Sequence, residues 1–369
     1  MKQNRMDIQL LISILLLVGA GFLIFLSASL GLLERDSGYM SSIVWKQIYL
    51  GLIPGLIALY AFSRLDVALW RKFSFWIFIG AIVLNVLVFI PGLGLSHGGA
   101  TRWLLIGSFS LQVSEVLKIA SVIYFASWLA YARERASEWK MGFLPLVAML
   151  VIVSVLLLAQ PDTDTLAIIG ASLLAMYVSA GGKWKHVAIL AVVGALCLAA
   201  LAFTRPYVMS RIQTFLDPSA SSQGAGYQIQ QSLIAVGSGG LAGRGFGQSI
   251  QKFNYLPEPV GDSIFAVAAE EFGFFGSVAL IALYVFFAMR SLRIAGAAEN
   301  AYSGLLAVGI TTFVIAQSFV NISAMLGVLP LSGIPLLFVS QGGTALFFVL
   351  AVSGMLLNIS RKARIGRAM

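Results

Sequence analysis

Apolar residues run in long unbroken stretches along this chain, and polar residues collect between them. Ten such stretches are visible, at about 8–31, 44–62, 74–91, 114–132, 143–160, 164–181, 186–204, 263–289, 302–323 and 337–359. Each is near the length of about 20 helical residues that crosses a hydrocarbon core ~30 Å thick. The pattern predicts an all-α, polytopic membrane protein in one domain spanning residues 1–369, with about ten transmembrane helices. The first stretch is too long for the apolar part of a signal peptide and has no small-residue cleavage site behind it, so it is expected to stay in the mature chain.

The connections are uneven. Most are short, but residues 92–113 and 205–261 are long, and loops of that length are usually functional. The second, between helices seven and eight, reads GAGYQIQQSLIAVGSGGLAGRGFG over 224–247. Ile229, Leu233 and Val236 recur there at helical spacing, with Gln228, Gln230, Gln231 and Ser232 on other faces. That predicts a short amphipathic helix lying in the membrane interface. GRGFG is not read as a phosphate loop, because no strand precedes it.

Composition agrees with the pattern: 59% of residues are hydrophobic and 11% charged, where a soluble domain carries about 25% charge. The net charge of +9 is mainly a topology signal. With the N-terminus inside, sixteen of the 24 Lys and Arg fall in cytoplasmic segments, as short cytoplasmic loops require. Both termini are then cytoplasmic, and both long loops face outward. The same charges favour contact with anionic membrane lipids, and no aromatic-interleaved basic patch points to nucleic acid. Cys197 stands alone in an apolar run, excluding an intrachain disulfide and predicting a packing role. His97 and His186 are expected on opposite sides of the membrane, which argues against a His-based metal site or a Ser-His-Asp triad.

Acids and lysines inside apolar stretches cost about 2.5–3.5 kcal/mol each on insertion scales, so they face cavities or one another. Glu115 and Lys118 stand three residues apart and can pair on one helix face, either to ease insertion or to meet a substrate. Asp162 and Asp164 precede helix six and can cap it. Asp262 opens the eighth stretch, with Glu270 and Glu271 eight and nine residues on. At ~1.5 Å per residue these two are expected ~12–14 Å deeper, one of them facing the bundle interior.

The chain resembles the SEDS polymerases, the FtsW/RodA family of bacterial peptidoglycan glycosyltransferases. The resemblance rests on GGATRW (98–103), LQVSEVLKIA (111–120), AQPDTDT (159–165), RIQTFLDP (211–218) and GYQIQQS (226–232). It continues through GFGQSIQKFNYLPEPVGDSIFAVAAEEFG (245–273) and GVLPLSGIPLLFVSQGG (327–343). SIQKFNYLPE is more similar to the FtsW division branch, although GSGGL also occurs in RodA.

The resemblance implies a peptidoglycan glycosyltransferase that joins lipid II units into glycan strands at the outer leaflet of the cytoplasmic membrane. It implies a class B penicillin-binding protein as transpeptidase partner, within a division or elongation complex. Docking is expected on helices eight and nine together with the outer loop, since small residues such as Gly304 and Gly309 would allow close helix approach. Asp262 matches the family's essential aspartate and is expected to be the general base, or to orient the acceptor hydroxyl. An ordinary aspartate near pKa ~3.9 is a weak base for a sugar alcohol. Proximity, a raised pKa or a bound divalent cation, Mg2+ or Mn2+, must therefore assist. Arg102, Lys118, Arg205, Arg211 and Lys252 are the cations expected to meet lipid diphosphates, with Glu115 and Asp162 orienting them. Each Arg can equally be an interfacial anchor, and Glu258 either acts beside Asp262 or shapes the Pro257–Pro259 turn.

Four departures from the family pattern stand out. Pro259-Val260-Gly261 replaces the usual Ala-His-Thr before the aspartate, Val113 replaces a proline, and Thr163-Asp164 and Gln341 and Thr344 replace the expected residues elsewhere. Two rival classes remain: a lipid II flippase, which calls for inverted repeats and broken helices near the midplane, and a noncatalytic scaffold.

Overall fold

The structure, a computed structural model, describes residues 6–34, 37–97, 100–106, 109–218 and 224–363. Gly98 and Gly99 of the first motif lie outside the described residues, as do Lys2, Arg5, Arg35, Arg364 and Arg367 among the topology-setting cations.

The helices are α1 (Ile8–Ser29), α2 (Ser37–Lys46), α3 (Ile53–Arg64), α4 (Val67–Leu87), α5 (Val113–Ala132), α6 (Leu144–Ala159), α7 (Thr163–Ser179) and α8 (Trp184–Thr204). After these come α9 (Pro206–Leu216), α10 (Ala225–Ser238), α11 (Ile264–Gly296), α12 (Ala301–Met325) and α13 (Gly343–Lys362). A π-helical turn at Gln47–Leu52 joins α2 and α3 into one span. Among the described residues nine spans are long and apolar enough to cross a membrane, and α7 is a shorter apolar helix. The ten predicted stretches are therefore all present as helices.

α5, α12 and α13 form the centre of the bundle, whereas α8 is exposed over nearly its whole length. α13 packs along α3, and α12 touches α5, α7, α11 and α13. Cys197, expected to pack, is exposed on α8. Gly309, expected to receive a partner helix, faces inward: a methyl group there would lie 2.5 Å from both Met176 and Val122. Gly304 likewise faces the chain's own Ala295 and Ala298.

The first and last described helices, α1 and α13, come together at one end of the bundle. The backbone N–H of Asp7 donates to Ser360 Oγ (3.0 Å), and the Asp7 carboxylate pairs with Arg290 (2.6 Å). At the opposite end the first long loop carries an element that the hydrophobic pattern did not announce. It is a three-stranded antiparallel sheet, ordered β1 (Gly94–His97), β2 (Ala100–Ile106) and β3 (Phe109–Gln112).

The second correction concerns α11. One apolar stretch was expected, but Gly273 interrupts it with φ 65° and ψ −162°. A methyl group on Gly273 would fall 2.2 Å from the Gly243 nitrogen, so only glycine fits both the dihedral and the contact. The 239–245 loop plugs the break. The N–H groups of Arg244 and Gly245 bond to the carbonyls of Glu270 and Glu271, and Phe274 and Phe275 bond to those of Gly240 and Leu241.

The break also overturns the expected depth of Glu270 and Glu271. Glu271 bonds to Ser27 of α1, while the Asp262 backbone bonds to Asn321 of α12. Ser27 and Asn321 each lie about 20 helical residues, roughly 30 Å, from the end where Asp7 meets Ser360. Asp262 and Glu271 thus sit at about the same height, because the part of α11 before Gly273 does not continue the axis of the part after it.

Candidate functional site

Asp262 ends a tight turn immediately before α11. Glu258 adopts φ 46°, and its carbonyl accepts from the N–H groups of Gly261 (3.0 Å) and Ser263 (3.3 Å). The segment between α12 and α13 braces this turn. Ser340 Oγ donates to the Gly261 carbonyl (2.7 Å), and the Gln341 N–H donates to the Val260 carbonyl (2.7 Å). The Pro259-Val260-Gly261 departure is therefore a backbone platform, with Val260 buried.

The Asp262 side chain is half-buried. Its carboxylate accepts from Gln228 Nε2 of α10 (3.1 Å), which also donates to Ser263 Oγ (2.9 Å). Burial pushes the Asp262 carboxyl up to about 7; the Gln228 bond opposes the rise, and the neighbouring Glu258 charge adds to it. Glu258 itself is exposed.

α10 is the short helix expected in the second loop, and Ile229 of its apolar face is buried, but the faces are mixed. Leu233 is 42% exposed, whereas Gln228 and Ser232 are buried. Gln228 faces Asp262, and Ser232 Oγ lies 3.4 Å from Met325 Sδ. The polar residues face inward because the groups they meet there are polar or polarizable.

A second polar cluster joins this one through α12. Lys118 and Glu115 on α5 form the predicted pair at 2.8 Å, both almost wholly buried, and Lys118 Nζ also donates to Gln317 Oε1. Gln317 Nε2 donates to the Pro335 carbonyl (3.2 Å), and one turn on, Asn321 Nδ2 donates to the carbonyls of Asp262 and Ile334 (both 2.8 Å). A row of amides thus connects Lys118 to Asp262. Gln317 and Asn321 escaped the sequence reading, although two amides four apart in an apolar helix share one face and are a readable signal.

The other expected residues are dispersed. Arg102 bonds to the carbonyls of Gln160 and Pro161 and lies 3.8 Å from Asp162, which caps α7 through the Thr165 N–H. Arg211 pairs with Asp164 at 2.9 Å. Arg205 is exposed between α8 and α9. Lys252, expected to meet a diphosphate, is instead fully buried and bonds to Glu271 (2.8 Å), Ser27 (3.1 Å) and the Gly247 carbonyl (2.9 Å). All three of its donors are used inside the protein. Among the described residues no group of three or more His, Cys, Asp or Glu is placed to hold a metal ion.

Fold and site together define a polytopic α-helical membrane protein with a carboxylate-bearing turn at the end of the bundle remote from Asp7 and Ser360. The chain belongs to the FtsW/RodA/SpoVE family of cell cycle proteins, whose model matches residues 8–365. It is 35% identical over 366 residues to stage V sporulation protein E of Bacillus subtilis, covering 98% of this chain and 99% of that protein. It is 37% identical to a probable peptidoglycan glycosyltransferase FtsW of Thioalkalivibrio sulfidiphilus, covering 99% and 93%. The fold matches the Thermus thermophilus rod shape determining protein RodA with a TM-score of 0.72 at 24% identity, covering 97% of this chain and 98% of that one. A chain from a peptidoglycan synthase complex that coordinates polymerization and crosslinking matches with a TM-score of 0.81, also at 24% identity, covering 96% and 98%.

Proposed function

We propose that this chain is a peptidoglycan glycosyltransferase that polymerises lipid II, with Asp262 as the general base. The acceptor's 4-hydroxyl oxygen bonds to the anomeric carbon of the donor while the bond from that carbon to the diphosphate breaks. The hydroxyl proton passes to Asp262, and undecaprenyl diphosphate leaves. The observation that carries this reading is the environment of Asp262: half-buried, held by an amide rather than a cation, with its carboxyl raised to about 7. A base with a pKa near the working pH is the most effective one.

In this reading the buried Glu115–Lys118 pair stands behind the donor diphosphate site, and Arg102, Arg205 and Arg211 are the cations at its rim. Where the diphosphate brings Mg2+ or Mn2+ with it, Asp262 and Glu258 are the carboxylates on hand, and phosphate oxygens would complete the shell. In this reading the end of the bundle near Asp7 and Ser360, where basic residues collect, faces the cytoplasm, and the Asp262 turn lies at the outer leaflet of the bacterial cytoplasmic membrane. A class B penicillin-binding protein is the partner in this reading, in a division or elongation complex. Because Gly309 packs inside the bundle, against Met176 and Val122, that partner would dock on other residues.

The flippase reading asks for a broken helix near the midplane. The break at Gly273 lies instead about 30 Å from the end where Asp7 meets Ser360, by helical rise, and the 239–245 loop fills it. The deciding experiment is polymerisation of labelled lipid II by purified protein, wild type and Asp262→Asn, beside a vesicle flipping assay. Polymer from wild type alone supports the proposal. Flipping without polymer, with the partner transpeptidase present, would assign the chain to transport; undiminished polymer from Asp262→Asn would remove this residue from the chemistry.

A further inference from the structure

At the end of the bundle where Asp7 meets Ser360, the starts of α4 and α12 and the end of α13 enclose a cavity of about 140 Å3. It has no place in the reaction proposed above. Its charges are of both signs. Lys362 and Asp66 satisfy each other at 2.9 Å. Arg71 and Glu299 also line the cavity, both exposed, and among the described residues neither has an ion-pair partner.

Two buried side chains in the wall are incomplete. Tyr302 is 2% exposed, lies under the Arg71 guanidinium (5.8 Å from the ring centroid), and its hydroxyl has no hydrogen-bond partner. Asn358 is 5% exposed; its Nδ2 donates to the Ser63 carbonyl (2.9 Å), but its Oδ1 accepts from nothing. Leaving a buried polar atom unmatched costs about 1–3 kcal/mol, which a bound group would recover. The cavity therefore offers a cation and a hydroxyl donor together with an anion and an amide acceptor.

The N-terminal ends of α4 and α12, capped by Asp66 and Asn300, also open on this cavity. Those ends are already served from within, the Ala68 N–H donating to Asp66 Oδ1 (3.0 Å) and the Ser303 N–H to Asn300 Oδ1 (2.9 Å), so a phosphate here depends on Arg71 and the Tyr302 hydroxyl. Glu299 and Asn300 line in addition a larger groove of about 870 Å3, whose floor includes Leu129, Leu292, Leu305 and Val308. The polar cavity thus shares Glu299 and Asn300 with a largely apolar groove, which also carries Glu134 and Ser179.

We propose that this cavity and groove bind one phospholipid whose headgroup carries both a phosphodiester and a primary ammonium, as in phosphatidylethanolamine. The phosphate takes Arg71 and the Tyr302 hydroxyl, the ammonium takes Glu299 and Asn358 Oδ1, and an acyl chain follows the groove. A phosphatidylglycerol headgroup would leave Glu299 without a cation. A choline headgroup has no N–H to offer Asn358.

The test uses the full-length chain in detergent, stripped of lipid and then offered phosphatidylethanolamine, phosphatidylglycerol and phosphatidylcholine of identical acyl chains. Retention is read by native mass spectrometry. Phosphatidylethanolamine is expected to be retained about tenfold more tightly than either competitor, the worth of one satisfied charge-assisted contact. Glu299→Gln should bring phosphatidylethanolamine and phosphatidylglycerol to parity, and Arg71→Gln should weaken both. Tyr302→Phe, which keeps the ring and its packing, should weaken phosphatidylethanolamine severalfold. Equal retention of the three lipids by wild type would overturn the proposal, as would a preference unchanged in Glu299→Gln. Soluble O-phosphoethanolamine binding as tightly as the lipid would also overturn it, because the groove would then contribute nothing.

Discussion

Asp262 and Glu271 stand nine residues apart at about the same height in the bundle, and the chain treats them in opposite ways. Glu271 is 1% exposed and meets Lys252 and the Ser27 hydroxyl; beside it Glu270 holds Ser249 Oγ (2.5 Å), two backbone N–H groups and Arg244 (3.3 Å). Asp262 is half-buried and has an amide donor but no cation within ion-pairing distance among the described residues. A fully matched carboxylate is a structural part, since its charge and lone pairs are already committed. A desolvated carboxylate without a counter-charge holds its proton more tightly and is free to exchange it. The comparison assigns the Glu270–Glu271 side to holding the break in α11 and the Asp262 side to chemistry.

Breaking the matched side should have the largest effect. Lys252→Met removes the cation but keeps much of the volume, leaving Glu271 buried without its partner. The expected cost is about 3–5 kcal/mol, read as a fall in thermal stability or loss of monodisperse protein in detergent. A stability unchanged by Lys252→Met would show that this pair does not hold the loop against the broken helix.

On the other side, Asp262→Asn keeps shape and most hydrogen bonding. Polymerisation of lipid II should fall at least about a hundredfold, the lower range for general-base catalysis, with lipid binding nearly intact. Stability should respond to pH rather than to the loss itself. Because the folded-state pKa is raised, from 3.8 to about 7, this group's contribution is fully present below pH ~4 and is lost as pH rises through 7. In Asp262→Asn that segment of the stability profile should flatten.

Lys118→Ala lies between these two cases, since Lys118 is buried and paired but linked by Gln317 and Asn321 to the Asp262 turn. It leaves Glu115 unpaired and takes a cation away from the proposed diphosphate site. Lipid II affinity should drop by about tenfold, together with a measurable loss of stability. Lost turnover with affinity and stability intact would instead place Lys118 in the chemical step alone.

The two sides differ in how far the sequence disclosed them. The spans were legible because a membrane core demands long apolar runs, and the Glu115–Lys118 pair because helical spacing places residues three apart on one face. The break at Gly273 was not, since its surroundings, IFAVAAEEFGFFGSV, are apolar on both sides. The interruption depends on a loop thirty residues earlier whose Gly243 fits against Gly273. Lys252 was misplaced for the same reason: its partners, Ser27 and Glu271, lie far from it in sequence. The sheet over 94–112 was hidden because its strands are short and form by pairing within a loop. Gln228, by contrast, was visible as a polar residue on α10, but only the fold turns it toward Asp262.

The smallest effects give the sharpest test of why Asp262 differs. Glu258 and Gln228 act on the same carboxyl with opposite signs: the Glu258 charge disfavours ionisation, and the Gln228 bond favours it. Neither group is proposed to take the hydroxyl proton. Glu258→Gln should therefore shift the lower midpoint of the pH–rate profile downward from about 7, and Gln228→Leu should shift it upward, each by less than about one unit. Because activity needs the ionised base, Glu258→Gln should be relatively more active below the wild-type midpoint and Gln228→Leu less active there. The same pair of substitutions should leave the stability lost in Lys252→Met unaltered in kind, since neither touches the Glu271 cluster. Midpoints that move together, or not at all, would show that the profile reports some group other than Asp262.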